Sequence, residues 1–260
     1  MNTRNWSVFT GLCGVAVFAL SAIPSGAQAT EVKEKPPMYS YVANWQFPRE
    51  HWGDVAKINA ADNTIFQAAL SDGTLVGYGN DANMVHTPDG ESHDTWWSST
   101  SLAGLLKVLD KLRALDNADS PISLNPTKHW DMVLVSHYYN WKPGPYTGAY
   151  INVAMYQLKA DAPDDAVSTL SKNVIVPTME KLLADGTILE YEVDTEAIHT
   201  DAPGLVAIVY DTPQPEGVDT VRAAIRGSGK DNPLIGPAFD SMIDYSAHRD
   251  ELLKGNGAYK

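Results

Sequence analysis

The sequence predicts an α+β fold: two tandem strand–helix–strand–strand–helix–strand units whose antiparallel sheets pack face to face as a barrel-like body. Three observations predict it. First, Leu70-Ser71-Asp72-Gly73-Thr74-Leu75 is matched by Leu183-Ala184-Asp185-Gly186-Thr187-Ile188, an offset of 113. The same offset carries Val85-His86-Thr87 onto Ile198-His199-Thr200, and each His-Thr leads into a turn, so the chain contains an internal duplication. Second, the same order of elements reads in both halves. Third, such a sheet carries helices on one face only, and two of them can cover each other's bare faces.

The first unit opens with Met38 to Trp45, rich in Tyr, Val and Trp and alternating as a strand does. Arg49 to Leu70 places Trp52, Val55, Ile58, Ile65, Phe66 and Ala69 at helical spacing, and Gly73 supplies a left-handed stop. Thr74 to His86 and His93 to Ser99 are the second and third strands. Ser101 to Leu115 is a helix with Leu102, Leu105, Leu106, Leu109 and Leu112 on one face. Met132 to Trp141 is the fourth strand, and Pro143-Gly144-Pro145 closes the half.

The second unit repeats this with strand Tyr150 to Leu158, helix Asp165 to Ala184, and strands Thr187 to His199 and Leu205 to Tyr210. Pro177 lies inside that helix and should kink or break it, because proline cannot donate to the preceding turn. A helix over Val218 to Ile225 follows. Pro237 to Ser246 reads equally as helix or strand, and Ala247-His248 is a candidate echo of Ser136-His137.

The N-terminus carries a different signal. Arg4 precedes an apolar run from Val8 to Ala22, then Pro24, Ser25, Gly26 and Ala27-Gln28-Ala29, the layout of a signal peptide cleaved before Thr30. The apolar run is about 15 residues, short of the roughly 20 needed to span a bilayer. The expected organisation is therefore 1–29 signal peptide, 30–145 first repeat and 146–260 second repeat, with the mature protein periplasmic or secreted. Cleavage removes Arg4 and takes the net charge from −13 to −14. It also removes Cys13, the single cysteine of the 260 residues, and with it disulfides, thiol nucleophiles and Cys-ligated metals. So acidic a chain repels phosphate backbones and anionic lipid, which argues against nucleic-acid and membrane-surface partners.

The element order is that of the ferredoxin-like unit. With the duplicated Leu-x-Asp-Gly-Thr and apolar-His-Thr blocks, most of the chain after residue 29 resembles the dimeric α/β-barrel superfamily, of the stress-response A/B barrel type, with two repeats fused in one chain. The resemblance implies a barrel that binds a small molecule as a monomer or homodimer. It leaves the reaction open, since that superfamily includes cofactor-free monooxygenases, haem enzymes and ligand-binding proteins.

Candidate site residues fall into four groups. His86 and His199 are equivalent under the repeat; a pair kept in both halves suits a turn-holding role as well as ligand contact. His86, Glu91, His93 and Asp94 lie around one tight turn, where a His/carboxylate cluster suits a general base or a divalent metal. In Ser136-His137-Tyr138-Tyr139-Asn140-Trp141, alternation puts His137, Tyr139 and Trp141 on one face. Trp45, Trp96, Trp97 and Tyr210 lie on strands of the same sheets and can line an aromatic pocket or simply pack a core.

The nucleophile-elbow, phosphate-loop, dinucleotide and His-Glu-x-x-His signatures are absent. Two readings follow. One is an exported barrel holding a small apolar or aromatic ligand, with ligand contacts from Trp45, His86, Trp96, Trp97, Trp141, His199 and Tyr210. The other is a cofactor-independent oxygenase or lyase with His93, His137 and Tyr139 in acid–base roles. No organic cofactor is required by either; haem and a divalent metal stand as further options.

Overall fold

Alternating side chains in the first half build β1 (Met38–Gln46), β2 (Gly77–Asn83), β3 (His93–Ser99) and β4 (Lys128–Trp141). The second half supplies β5 (Gly144–Leu158), β6 (Glu190–Ile198), β7 (Leu205–Thr212) and β8 (Ile243–Tyr259). The computed structural model describes residues 32–260 except 117, 119, 201–202 and 232–234. The signal peptide expected over 1–29 lies outside the described residues.

Each half forms an antiparallel sheet, β4-β1-β3-β2 and β8-β5-β7-β6. The two join edge to edge at β2·β8 and β4·β6, so that the eight strands close into one barrel. This is the expected α+β pair of ferredoxin-like units. Closure pairs all strand edges, which an open sheet would leave free for another chain.

The helices lie outside the barrel. α1 (Val55–Asp72) and α2 (Leu102–Arg113) cover the first sheet, with Phe66, Ala69, Leu105 and Val108 buried against Tyr41, Tyr78 and Trp97. In the second half α3 (Ala166–Leu170) runs through a wide π turn at Ser171–Ile175 into α4 (Val176–Asp185). The wide turn sits just before Pro177, whose missing N–H and bulky ring displace the regular ladder. α5 (Pro215–Asp231) and α6 (Ile235–Met242) complete that layer. Met179, Leu182 and Val221 pack there against Tyr191, Val193 and Tyr210. Each such side chain contributes about 1.5–3 kcal/mol on burial. Among the described residues no helix is long and apolar enough to cross a membrane.

The duplicated Leu-x-Asp-Gly-Thr block is a helix stop. Gly73 (φ 83°) and Gly186 (φ 86°) take the left-handed conformation that ends α1 and α4. Asp72 and Asp185 then accept the backbone N–H of Thr74 and Thr187 at 2.8 and 3.0 Å.

Two expectations change. The segment from Pro237 onward resolves into helix α6 and then β8, far longer than the sequence suggested. The register also gives His248 a different counterpart. Val42 faces Met132 across β1·β4, and Val153 faces Glu251 across β5·β8, which aligns β8 with β4 at an offset of 119. His248 is therefore the partner of His129, and Ser136-His137 has no echo at Ala247-His248.

Candidate ligand-binding cavities

Between helices and sheet each half holds a cavity, and the two are related by the repeat. The first is about 330 Å³ and the second about 390 Å³. On their sheet floors Trp45 and Ala43 of β1 correspond to Tyr156 and Ala154 of β5. Trp97 of β3 corresponds to Tyr210 of β7, and His129 and Asp131 of β4 to His248 and Asp250 of β8.

The shared motif is an aromatic ring stacked on a histidine whose far nitrogen faces a carboxylate. Trp45 lies 3.6 Å from the His129 ring at 10°, and Tyr156 lies 4.3 Å from the His248 ring at 6°. His129 Nδ1 is 2.9 Å from the Asn44 carbonyl, and His248 Nδ1 is 2.9 Å from the Met155 carbonyl. A carbonyl only accepts, so Nδ1 carries the proton in both rings. Nε2 is then directed at the carboxylate, 3.3 Å from Asp131 Oδ1 and 3.6 Å from Asp250 Oδ1. Such a dyad fixes the ring and can hold or pass a proton at Nε2.

The two cavities differ elsewhere. In the first, burial raises the Asp62 carboxyl to about 7, and Arg113 and Pro121 close the rim. In the second, α6 adds Phe239 and the start of β8 adds Tyr245, while α5 presents Arg222 and Arg226. Tyr210 is 2% exposed and its hydroxyl has no hydrogen-bond partner among the described residues. Burial raises that hydroxyl to about 12, with Arg222 opposing the rise.

The residues singled out in the sequence are distributed over several places. Trp45 and Trp97 line the first cavity and Tyr210 the second. Trp96 points into the barrel lumen and donates to Asp81 Oδ2 at 3.0 Å. Trp141 stands at the end of β4, stacked between Tyr139 and Tyr259, with its indole N–H on the Lys260 carbonyl at 2.9 Å. Tyr139 donates to the Pro36 carbonyl at 2.9 Å, and His137 Nδ1 contacts the Lys35 carbonyl at 3.0 Å. His93 is half-buried against Trp52 and Phe47, and burial lowers its ring to about 4. His86 is exposed beside Trp52, and His199 is exposed beyond β6. His93, His137 and Tyr139 thus stand apart from both cavities.

His129, Asp131, Tyr156 and Asp250 are not among the site residues expected from sequence, and His248 figures there only as a candidate echo of His137. The available signal was His-x-Asp twice, at His129-Trp130-Asp131 and His248-Arg249-Asp250. Its offset of 119 differs from the 113 of the helix stops, chiefly because α5 is 17 residues long where its counterpart α2 is 12.

No protein-family model matches the chain, and no curated protein matches it significantly. Solved structures do share its architecture. One is a proposed monooxygenase from Lactobacillus acidophilus NCFM, with a TM-score of 0.60 at 12% identity over 86% of this chain and 97% of that one. An anthrone oxidase-like protein aligns with a TM-score of 0.53 at 9% identity, covering 85% and 92% of the two chains. A mutant chlorite dismutase from Candidatus Nitrospira defluvii gives 0.51 at 11% identity, covering 86% and 93%. At these identities the likeness establishes the fold alone.

Proposed function

We propose that the chain is an exported member of the dimeric α/β-barrel superfamily that holds a small apolar or aromatic molecule in the cavity of its second half. The observation that carries this reading is the Tyr210 hydroxyl, buried at the floor of a 390 Å³ cavity without a well-formed hydrogen bond, with the Arg222 guanidinium as its nearby donor. An unpaired buried polar group costs about 1–3 kcal/mol, and a ligand carrying one acceptor would remove that cost. Tyr156, Tyr245 and Phe239 suit a flat apolar body, and Arg222 and Arg226 suit an acidic or carbonyl substituent.

A second reading, cofactor-independent catalysis, is favoured by the His248–Asp250 dyad in the same cavity. There Nε2 would take a proton from the bound molecule while Asp250 stabilises the charged ring. Haem fits less well. His129 and His248, the histidines of the two cavities, each turn Nε2 toward a carboxylate and lay one ring face on an aromatic, so neither offers a clear axial position. No step of the proposed function needs haem.

Purification of the full-length gene product from its own host, followed by native mass spectrometry and absorbance, tests these readings. The mature protein is expected to begin at Thr30 and to retain a small organic mass. Ala154→Trp fills the second cavity and should abolish retention, whereas Ala43→Trp fills the first and should leave it intact. Wild-type protein without any retained mass overturns the binding reading. Air-dependent turnover of the retained molecule that is lost in His248→Asn, with binding kept, identifies the enzyme. A Soret band reports haem instead.

A further inference from the structure

Inside the barrel lies a third cavity of about 90 Å³, separate from the two under the helices. That is several times the ~10–15 Å³ that one water needs. Its walls are unlike an ordinary barrel core. β6 points Glu190, Glu192 and Asp194 inward, β2 adds Asp81, β3 adds Asp94 and β7 adds Asp211. Glu91 and Glu251 stand at one end beside Arg249, the single cationic side chain of the lining. Arg249 Nε lies 3.8 Å from Glu251 and leaves the other carboxylates uncompensated.

Several of these groups present one oxygen without a partner. Glu190, Asp194 and Asp81 are 1%, 2% and 4% exposed. Each has an oxygen with no hydrogen-bond partner among the described residues: Oε2 of Glu190, Oδ1 of Asp194 and Oδ1 of Asp81. Leaving charged or polar oxygens buried and unpaired is expensive, and a fold that collects them in a space able to admit a molecule is complementary to a donor of positive charge.

The remaining wall indicates what kind of cation. Val42, Met132, Leu134, Ile151, Val153 and Val209 form an aliphatic surface, and Trp96 offers an indole. Among the described residues no three His, Cys, Asp or Glu side chains come together as a metal site. A hard metal ion wants oxygen ligands all round, whereas an alkylammonium wants carboxylates at its head and apolar wall along its chain.

We infer that the barrel lumen is a binding chamber for a small aliphatic amine, its ammonium held by the inward carboxylates of β6, β2 and β7. Without ligand, burial pushes Glu190, Glu192, Asp81 and Asp211 upward, each further raised by a neighbouring carboxylate, and they hold protons. Entry of an ammonium favours the ionised forms, so binding releases those protons.

The test is thermal melting and calorimetry on full mature protein at pH 7, with 1,4-diaminobutane and n-butylamine as probes. Butan-1-ol, NaCl at matched ionic strength and CaCl₂ are the controls. The amines are expected to raise Tm by several degrees and to release about one proton or more, read from calorimetry in two buffers of different ionisation enthalpy. Glu190→Gln should weaken binding at least tenfold. Asp81→Asn, on another strand, serves the same purpose if the first variant does not fold. No amine effect, or equal effects from butan-1-ol or NaCl, overturns the inference. A response to CaCl₂ alone also overturns it and makes the chamber a metal site. Failure here leaves the helix-side cavity untouched, because Ala154→Trp does not enter the lumen.

Discussion

Glu190 shows how the same side chain is read differently from sequence and from structure. In Glu190-Tyr191-Glu192-Val193-Asp194-Thr195-Glu196 every second residue is acidic, and such alternation ordinarily marks a strand with one wet face. Here the apolar set, Tyr191 and Val193, lies under α4, and Glu190, Glu192 and Asp194 face the lumen. Both faces are buried. Burial raises the Glu190 carboxyl well above its usual range, with Asp211 adding to the effect. Glu190→Gln removes a carboxyl whose ionisation the fold disfavours. The variant should be more stable than wild type at pH 9, by about 1–3 kcal/mol, and nearly equal at pH 5. Urea denaturation at the two pH values checks this. The His129 and His248 dyads were legible in the same sense: the residues were in view, but their pairing depends on which strand positions face each other, and register is fixed by tertiary closure.

Elements were legible where one face is apolar and a cap is present. β3 runs over the expected His93–Ser99, and α2 starts after Ser101, whose hydroxyl accepts the Gly104 N–H at 3.1 Å. β8 was not legible for three reasons. Its inward positions include Arg249 and Glu251, its outward ones include His248 and Asp250, and Gly255 and Gly257 interrupt what remains. Those glycines have a packing reason. A Cβ on Gly257 would stand 2.2 Å from the Tyr78 carbonyl, and one on Gly255 would stand 2.8 Å from the Asn80 carbonyl. The β2·β8 seam closes only because these side chains are missing. Gly257→Ala should destabilise the barrel by about 1–3 kcal/mol. At about 2–4 °C per kcal/mol for a chain of this size, the loss is readable by calorimetry.

The molecule encloses eight of its 32 carboxyl side chains in the barrel lumen, and its response to pH follows. Burial raises Asp194 to about 7, and burial with neighbouring charge raises Asp81 to about 8, against an ordinary carboxylate value of 3.8. The folded state therefore holds protons that the unfolded chain has lost. Stability from these groups is full below the unfolded value and declines as pH rises, until it is lost once pH passes about 8. Melting temperature should peak on the mildly acidic side and fall steadily toward pH 9. A flat profile from pH 5 to 9 would contradict the burial of these carboxyls. The overall fold was readable from the 113-residue repeat, but the lumen's chemistry was not, because composition does not tell a solvated carboxylate from an enclosed one.

The two seams, β2·β8 and β4·β6, join halves that belong to one polypeptide. Barrel closure is accordingly a unimolecular step, governed by tether length and not by mass action between separate subunits. Dilution cannot pull such halves apart. The temperature at which the seams open is expected to be the same in a dilute compartment as in a concentrated stock.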